Sequence, residues 1–322
     1  MYLVAPDSFK GTFTSPEVAG AIARGLAGTG ARAEVCPLAD GGEGTMEVLL
    51  AALGGQSAAA AAHDPLGRGI EARFGRLADG RAIVESAQAS GLGLVEPRER
   101  DAEAASTFGT GELIAAAVAA GAQRVVVAAG GSAATDGGAG AVEAIEAAGG
   151  LHGARLEVLC DVRTPFDQAA RVFGPQKGAD ADAVRRLEER LDRYADGLPR
   201  DPRGIEMTGC AGGLAGGLWA AFGAELRSGA AAVMDAIGFD RRLAAADAVV
   251  SGEGRLDEQS LEGKLVGEVA DRCRAAGVPL HLIVGSVTLD EARRRLGAQT
   301  VTVASTLEEI EAAARRRSAL RG

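Results

Sequence analysis

Lysine is nearly absent from this chain of 322 residues: only three of its 34 cationic side chains are lysines. Each of them, Lys10, Lys177 and Lys264, adjoins a glycine. A compact ammonium on a flexible stem beside an unhindered backbone suits a phosphate oxygen, and arginine does not substitute freely there. Three residues can also fall beside glycine by chance. The site chemistry favours the functional interpretation, so these lysines are candidates for binding anionic groups.

Cysteine and histidine are also rare, and both are spread along the chain. The four cysteines form neither a metal-binding pair nor a disulfide framework, so a reducing, cytoplasmic setting is expected. The three histidines occur in no spacing typical of a metal site or a catalytic triad. A strand is predicted from residue 2, which leaves no room for a signal peptide.

Long apolar runs are missing as well, so no membrane-spanning helix is expected. The apolar run over 113–129 is interrupted by Gly121, Gln123 and Arg124. The net charge of −10 argues against a general binder of nucleic acid or of anionic membranes. A small anionic substrate is still allowed, because it senses only the charges of its own pocket.

Two common nucleotide-binding motifs are absent. Gly263-Lys264 is followed by Leu265, and Glu258 stands where a Walker A motif would begin with glycine. No G-x-G-x-x-G fingerprint follows a predicted strand either. These absences argue against a P-loop enzyme and against a nicotinamide-dependent oxidoreductase of the standard type.

Short apolar segments alternate with helical patterns in the first and last thirds of the chain. Strands are predicted at 2–5, 33–38, 248–251, 280–284 and 300–303, each adjoined by a helix. Right-handed crossovers allow these strands to form a parallel sheet of flavodoxin-like order 2-1-3-4-5. The predicted fold class is therefore α/β. A flavodoxin-like domain is predicted over 1–55 and 228–322, and a second, mixed α/β domain is inserted at 56–227.

The segment after the first strand is a predicted anion site. Ser15 is expected to cap a helix whose first residue is Pro16, and Lys10 lies in the loop before it. In the predicted strand order, the loops at 7–14 and 252–262 line one crevice. Lys10 is then expected to lie opposite the charged residues Glu253, Arg255 and Asp257.

Several glycine-rich loops after predicted strands contain acidic residues. They are Asp40-Gly-Gly-Glu43, Asp136-Gly-Gly138 and the segment 252–257. Glycine lets successive N–H groups face an anion, and the carboxylates suit Mg²⁺ or a hydroxyl proton. For any single loop, a turn with an Asx-type hydrogen bond is the favoured explanation. Several such loops at one sheet end favour a site.

These loops closely resemble those of the bacterial glycerate kinase family, the type that lacks a P-loop. The matching segments run in order along nearly the whole chain: 6–11, 39–44, 109–112, 131–132 with 136–140, 173–178, 252–257 and 263–264. The resemblance implies two α/β domains with an active site in the cleft between them. It also implies ATP-dependent phosphorylation of D-glycerate with Mg²⁺, commonly at the 2-hydroxyl, which gives 2-phosphoglycerate. ATP and D-glycerate are then the small-molecule partners, and the protein is expected to act as a monomer or homodimer.

The resemblance, combined with the needs of phosphoryl transfer, suggests roles for individual residues. Lys10 is placed on the transferring phosphoryl group, and Lys177 and Lys264 on phosphate or the substrate carboxylate. Asp257 or Asp136 would accept the hydroxyl proton. The candidate Mg²⁺ ligands are Asp40, Glu43 and Glu253, and the remaining substrate- and phosphate-binding candidates are Asp7, Ser8, Thr110, Gly131, Ser132 and Arg255.

The chain departs from the family pattern at a few places. Ala134-Thr135 stands where Thr followed by Asn or Thr is expected, and Thr164 stands where the family has Asn. The segment 149–156 is shorter than is typical, and reduced substrate affinity or turnover is expected if that segment normally covers the substrate. Phosphorylation to 3-phosphoglycerate and a non-catalytic protein that binds small hydroxy acids are the alternatives.

Overall fold

The computed structural model describes residues 1–261 and 264–318. Its strands are β1 (Tyr2–Val4), β2 (Ala33–Val35), β3 (Gln56–His63), β4 (Gly69–Arg76), β5 (Arg81–Glu85), β6 (Arg124–Ala128), β7 (Arg155–Cys160), β8 (Glu225–Ser228), β9 (Ala248–Ser251), β10 (Arg255–Leu256), β11 (Leu280–Val284), β12 (Ser286–Val287) and β13 (Thr300–Val303). Its α-helices are α1 (Ser15–Ala27), α2 (Thr45–Leu53), α3 (Ala87–Ser90), α4 (Phe108–Ala119), α5 (Ala139–Ala147), α6 (Ala169–Phe173), α7 (Ala181–Gly197), α8 (Leu214–Phe222), α9 (Gly229–Ala236), α10 (Phe239–Leu243), α11 (Leu265–Ala276), α12 (Ala292–Arg295) and α13 (Leu307–Ser318).

The chain forms two compact units, the first made of Met1–Asp40 with Ala230–Gly322. The sheet of this unit has the order β2-β1-β9-β11-β13, and every neighbouring pair is parallel. This is the flavodoxin-like order 2-1-3-4-5, so the predicted fold class is confirmed for this sheet. Helices α1 and α13 pack together through apolar residues that include Ile22 and Ile310. Gly25 permits the close approach, because a Cβ there would overlap the backbone of Glu311.

The beginning of α1 differs in one detail from the prediction. Thr14, not Ser15, is the N-cap, and it forms a capping box with Glu17. The Ser15 hydroxyl instead donates to the Pro6 carbonyl at 2.8 Å and accepts from the Leu38 amide at 3.0 Å. Ser15 therefore ties the loop after β1 to the loop after β2. Sequence alone cannot separate these roles, since both neighbours are good caps.

The second unit, Gly41–Gly229, contains a mixed sheet of order β3-β4-β5-β6-β7-β8. Strands β3, β4 and β5 are antiparallel, and β5 through β8 are parallel. Its core lies between one face of this sheet and helices α4, α5 and α8, with buried residues such as Leu113, Ile145 and Leu218. The sequence predicted a second, mixed α/β region, and the structure has a mixed sheet with helices there.

The observed boundary between the two units differs from the predicted boundary in where it places α2. Helix α2 contacts β4 and β5, so by its contacts it belongs to the second unit. The prediction placed it in the first unit, because its boundary followed the change of composition near residue 56. The observed division falls between Asp40 and Gly41.

The short segment 149–156 lies at the amino ends of the parallel strands of the second sheet. It joins α5 to β7, and Arg155 is the first residue of that strand. In parallel strands the loops that follow the carboxyl ends meet at the opposite edge. The short connection is therefore at the far strand ends from Ser132 and Lys177 within this unit. No helix in the described ranges combines the length and apolar character that a bilayer span requires.

Candidate active site

In the first unit, the loops after β1 and β9 meet at the carboxyl ends of the parallel strands. The Asp7 amide donates to the Gly252 carbonyl at 2.8 Å, and the Ser251 hydroxyl donates to the Ala5 carbonyl at 2.7 Å. Gly252 must be glycine, because a Cβ there would overlap the carbonyl oxygen of Ile283. These contacts hold the two loops side by side, as the strand order requires.

The joined loops border a cavity of about 410 Å³. Lys10 lines it together with Glu253, Arg255 and Asp257, the residues expected to lie opposite Lys10. Four other candidate site residues, Asp7, Ser8, Asp40 and Lys264, line the same cavity. Two serines that sequence reasoning did not select, Ser286 and Ser305, also line it. Both follow strands of the same sheet, so the rule that ligands bind at carboxyl strand ends would have found them.

Three carboxylates in this cavity are almost entirely withdrawn from water: Asp7, Asp40 and Glu253. Burial raises the pKa of Asp7 well above its usual range, and the Asp40 charge adds to the effect. Burial also raises the pKa of Glu253 to about 7, although a hydrogen bond from Ser260 and the Lys264 charge oppose the shift. Carboxylates that suppress one another's ionisation create strong demand for a cation.

Two lysines and one arginine supply positive charge to the same cavity. The Lys10 Nζ lies 2.7 Å from Asp40 Oδ2, while 57% of the Lys10 side chain is exposed. Arg255 pairs with Asp257 at 3.4 Å, and Lys264 lowers the pKa of Glu253. The Lys10 side chain is thus oriented by a buried carboxylate, while more than half of its surface is exposed.

The donor set of this cavity fits a hard cation such as Mg²⁺. Among the described residues, no group of three or more His, Cys, Asp or Glu side chains forms a complete metal cage. Mg²⁺ commonly uses only one or two carboxylates, with water and substrate phosphates as the other ligands. The Oε1 atom of Glu253 is buried and has no hydrogen-bond partner, which leaves it available. Glu253 and Asp40 are the residues that would hold the ion.

Glu253→Gln should change the pH dependence of stability. The folded-state pKa of Glu253 is about 7 against 4.5 for an unperturbed glutamate. Burial of the Glu253 carboxyl therefore does not reduce the free energy of unfolding below pH 4.5, where the group is protonated in both states. The free energy of unfolding decreases as the pH rises from 4.5 toward 7. The loss is about 3 kcal/mol at most. In the presence of EDTA, urea unfolding should find the variant no more stable than the parent near pH 4.5 and clearly more stable at pH 8.

Glu258→Gln is the matched control, because Glu258 lies in the same loop but is exposed and paired with Arg295. The Arg295 hydrogen bond lowers the pKa of Glu258, so this variant should gain nothing at pH 8. Equal stability differences for Glu253→Gln at both pH values would contradict the buried, proton-binding state of Glu253.

The second unit has its own cavity at the carboxyl strand ends, with a volume of about 240 Å³. Gly131, Ser132 and Lys177 line it, as predicted for an anion pocket. Lys177 is buried, and its Nζ donates to the Ala134 carbonyl. Burial lowers the pKa of Lys177 to about 8, and the negative charges of Asp136 and Asp161 oppose this shift. A buried ammonium beside exposed glycine backbone suits an anionic ligand.

Asp136 and Thr110 are near this region but do not line the cavity. The Asp136 carboxylate accepts hydrogen bonds from the amides of Thr107 at 2.8 Å, Gly138 at 3.0 Å and Gly140 at 3.2 Å, and from the Thr107 hydroxyl. Its oxygens are therefore engaged in holding the starts of α4 and α5. Thr110 is buried, and its hydroxyl is 2.7 Å from that of Ser90. Glu43 is exposed on this unit.

Sequence reasoning missed Asp161 and Gln176, which line the second cavity with Lys177. The Cys210 thiol donates to Asp161 Oδ1 at 3.2 Å. Asp161 directly follows the buried strand β7, the same signal that selected Asp136 after β6. Position after a strand therefore identified the region, whereas hydrogen bonding decides which carboxylate faces the cavity.

Comparison with known proteins gives a consistent result. A family model described as the glycerate kinase family matches residues 2–150 and 146–320. The two segments overlap at 146–150, where α5 ends and the short α5–β7 connection begins. A glycerate kinase of Bacillus subtilis is 39% identical to this chain, and the alignment covers 89% of this chain and 85% of the relative. A protein of Escherichia coli named glycerate 2-kinase is 36% identical and covers 89% and 86%.

A solved structure has the same architecture. It is a crystal structure from Salmonella typhimurium LT2 that is provisionally described as glycerate kinase 2. It matches this chain with a TM-score of 0.82 and 34% sequence identity. The superposition covers 99% of this chain and 97% of the solved chain. Sequence and fold thus point to the same relatives.

Proposed function

This chain belongs to the glycerate kinase family, and from that premise we propose that it transfers the γ-phosphoryl group of ATP to the 2-hydroxyl of D-glycerate. The observation that carries the proposal is the cavity where Lys10 meets the buried carboxylates Asp7, Asp40 and Glu253. Phosphoryl transfer depends mainly on positioning and charge neutralisation, which these residues can supply. The name of the Escherichia coli relative supports the 2-position.

Lys10 is the residue proposed to contact the transferring phosphoryl group. Its ammonium pairs with Asp40 at 2.7 Å, and 57% of the Lys10 side chain is exposed. Lys264 lines the same cavity and would bind a further phosphate oxygen. Asp7 and Ser8 line the same cavity from the loop between β1 and α1, and we assign them to substrate and phosphate binding.

Magnesium would be held by Asp40 and Glu253. When bound, it would neutralise charge on the phosphate oxygens during transfer. The protein presents the two carboxylates from separate loops and buries them. Electrostatic interactions are stronger in the protein interior than in water. The unpartnered Oε1 of Glu253 supports this assignment.

Asp257 is the proposed acceptor of the hydroxyl proton. It lines the cavity, and its side chain is 28% exposed, so it can reach a substrate. Asp136 is the weaker assignment, because its oxygens already accept several backbone hydrogen bonds. For the substrate carboxylate we propose Lys177, with Ser132 and Gly131 on the same cavity wall.

A cytoplasmic location belongs to the same proposal. All four cysteines are buried and form no disulfide, which fits a reducing compartment. The buried thiol of Cys210 beside Asp161 would be a poor nucleophile, because its neighbour Cys160 and burial raise its pKa.

Incubation with Mg-ATP and D-glycerate, followed by ³¹P NMR, tests the function. We expect glycerate-dependent ADP release and 2-phosphoglycerate as the product. The 3-isomer would retain the kinase but overturn the proposed position. No ADP release, combined with glycerate binding that is equal with and without Mg-nucleotide, would favour a non-catalytic binding protein.

A further inference from the structure

Three arginines stand side by side at one end of the second sheet. Arg81, Arg124 and Arg155 are the first residues of β5, β6 and β7. They are also register partners, Arg81 with Arg124 and Arg124 with Arg155. Neighbouring strands lie about 4.8 Å apart, and partnered residues share a sheet face. Three positive side chains therefore start from adjacent points.

These arginines line a cavity of about 760 Å³, larger than the cavities at the candidate active site. The charged lining consists of the three arginines and Asp79, which leaves a formal charge of +2 with His152 neutral. This local excess occurs in a chain whose net charge is −10. Like charges at neighbouring sheet positions are destabilising unless something neutralises them.

The protein itself neutralises this row incompletely. Arg81 pairs with Asp79 at 2.7 Å. Arg124 is 3.8 Å from Glu157, which lies closer to Arg227, at 3.1 Å. Arg155 makes no ion pair with a carboxylate in the described part of the chain. The carboxyl ends of α4 and α5 contribute only partial negative charge to this side.

The shortened α5–β7 connection forms one wall of this cavity. Leu151, His152, Gly153 and Ala154 line it, together with Arg155. The His152 backbone has φ of +47°, a left-handed conformation that non-glycine residues rarely adopt. The short connection thus leaves the arginine row bordering an open cavity of ligand size.

We propose that this cavity is a binding site for a small phosphorylated anion. Arginine binds phosphate oxygens through two parallel hydrogen bonds, and three adjacent guanidinium groups suit a diphosphate or a phosphate ester. The site is separate from the candidate active-site cavity of the same unit. That cavity lies at the carboxyl strand ends, about 15 Å away along five-residue strands.

Titration calorimetry with inorganic pyrophosphate, in a Mg²⁺-free buffer, tests the proposal. The parent for this test is a variant carrying Lys10→Ala and Lys177→Met, so that two lysines of the candidate active site cannot contribute. Pyrophosphate should still bind, and adding Arg155→Gln should weaken the affinity by about ten-fold or more. Arg73→Gln removes an exposed arginine that contacts Ser57 on β3, and it should leave the affinity unchanged. Equal affinities for the Arg155→Gln variant and its parent would overturn the site.

Stability without any ligand gives a second, independent readout. At low ionic strength Arg155→Gln should raise the melting temperature, because it relieves repulsion within the row. High salt should shrink the difference by screening. A lower melting temperature for Arg155→Gln would mean that the protein already satisfies this guanidinium, and the proposal would fail.

Discussion

Replacing Lys10 by alanine is expected to lower kcat for glycerate phosphorylation by about 10³-fold, a typical cost for a preorganised group that stabilises transition-state charge. The Lys10 ammonium is oriented by Asp40 but over half of the side chain is exposed, so a phosphate oxygen can reach it. Arginine at this position carries the charge in a different shape, and Lys10→Arg should also lose most of the activity. Coupled ADP release with purified variants measures both effects.

The fold should survive the substitution at Lys10. Lys10 is the exposed partner of its ion pair and Asp40 the buried one. Removing the ammonium should therefore lower the melting temperature, while the circular dichroism spectrum should stay close to that of the parent. Arg24→Ala is the matched control, because it removes another exposed cation, paired with Glu311 on the outer helices of the same unit. Near-normal turnover in the Lys10→Ala protein, or an equal loss in the Arg24→Ala protein, would remove Lys10 from the catalytic assignment.

The arrangement of the first sheet could be predicted because it depends on patterns within the sequence. The strands at 248–251, 280–284 and 300–303 were predicted with the bounds that the structure has. Apolar runs between helices define parallel strands, and crossover handedness limits their order. Strand β8 has no such run, because Glu225–Ser228 is mostly polar and lies at the sheet edge.

The candidate site was predictable only to the level of loops. Lys10, Asp40, Glu253 and Asp257 came together because strand order dictates which loops adjoin. Hydrogen bonding within a loop does not follow from strand order. Asp136 and Asp161 each follow a strand. Asp136 accepts hydrogen bonds from several backbone amides, whereas Asp161 lines a cavity. Such differences depend on distances of a few tenths of an ångström, which spacing along the chain does not determine.

Lys177→Met should separate activity from stability. The ammonium is buried, and burial lowers its pKa to about 8 from 10.5. Below pH 8 the folded protein therefore holds an unfavourable charge that costs about 3 kcal/mol, and this cost is relieved as the pH rises from 8 to 10.5. Methionine fills similar space without charge but loses the hydrogen bond to the Ala134 carbonyl, worth about 1–2 kcal/mol. At pH 7 the variant should be more stable by about 1–2 kcal/mol, and near pH 10.5 it should be less stable than the parent by about 1 kcal/mol, because the amine of the parent is then neutral.

Activity should change in the opposite direction. Without the ammonium, kcat/KM for glycerate should fall by about 10²-fold or more, as for a lost charged hydrogen bond to substrate. In the parent, kcat/KM should decline as the pH rises through about 8, because the amine loses its proton. Arg171→Met, which removes an exposed cation from α6, should change neither quantity. A Lys177→Met protein that is both less stable and fully active would identify Lys177 as a structural partner of Asp136 and Asp161, because its charge would then serve the fold and not a substrate.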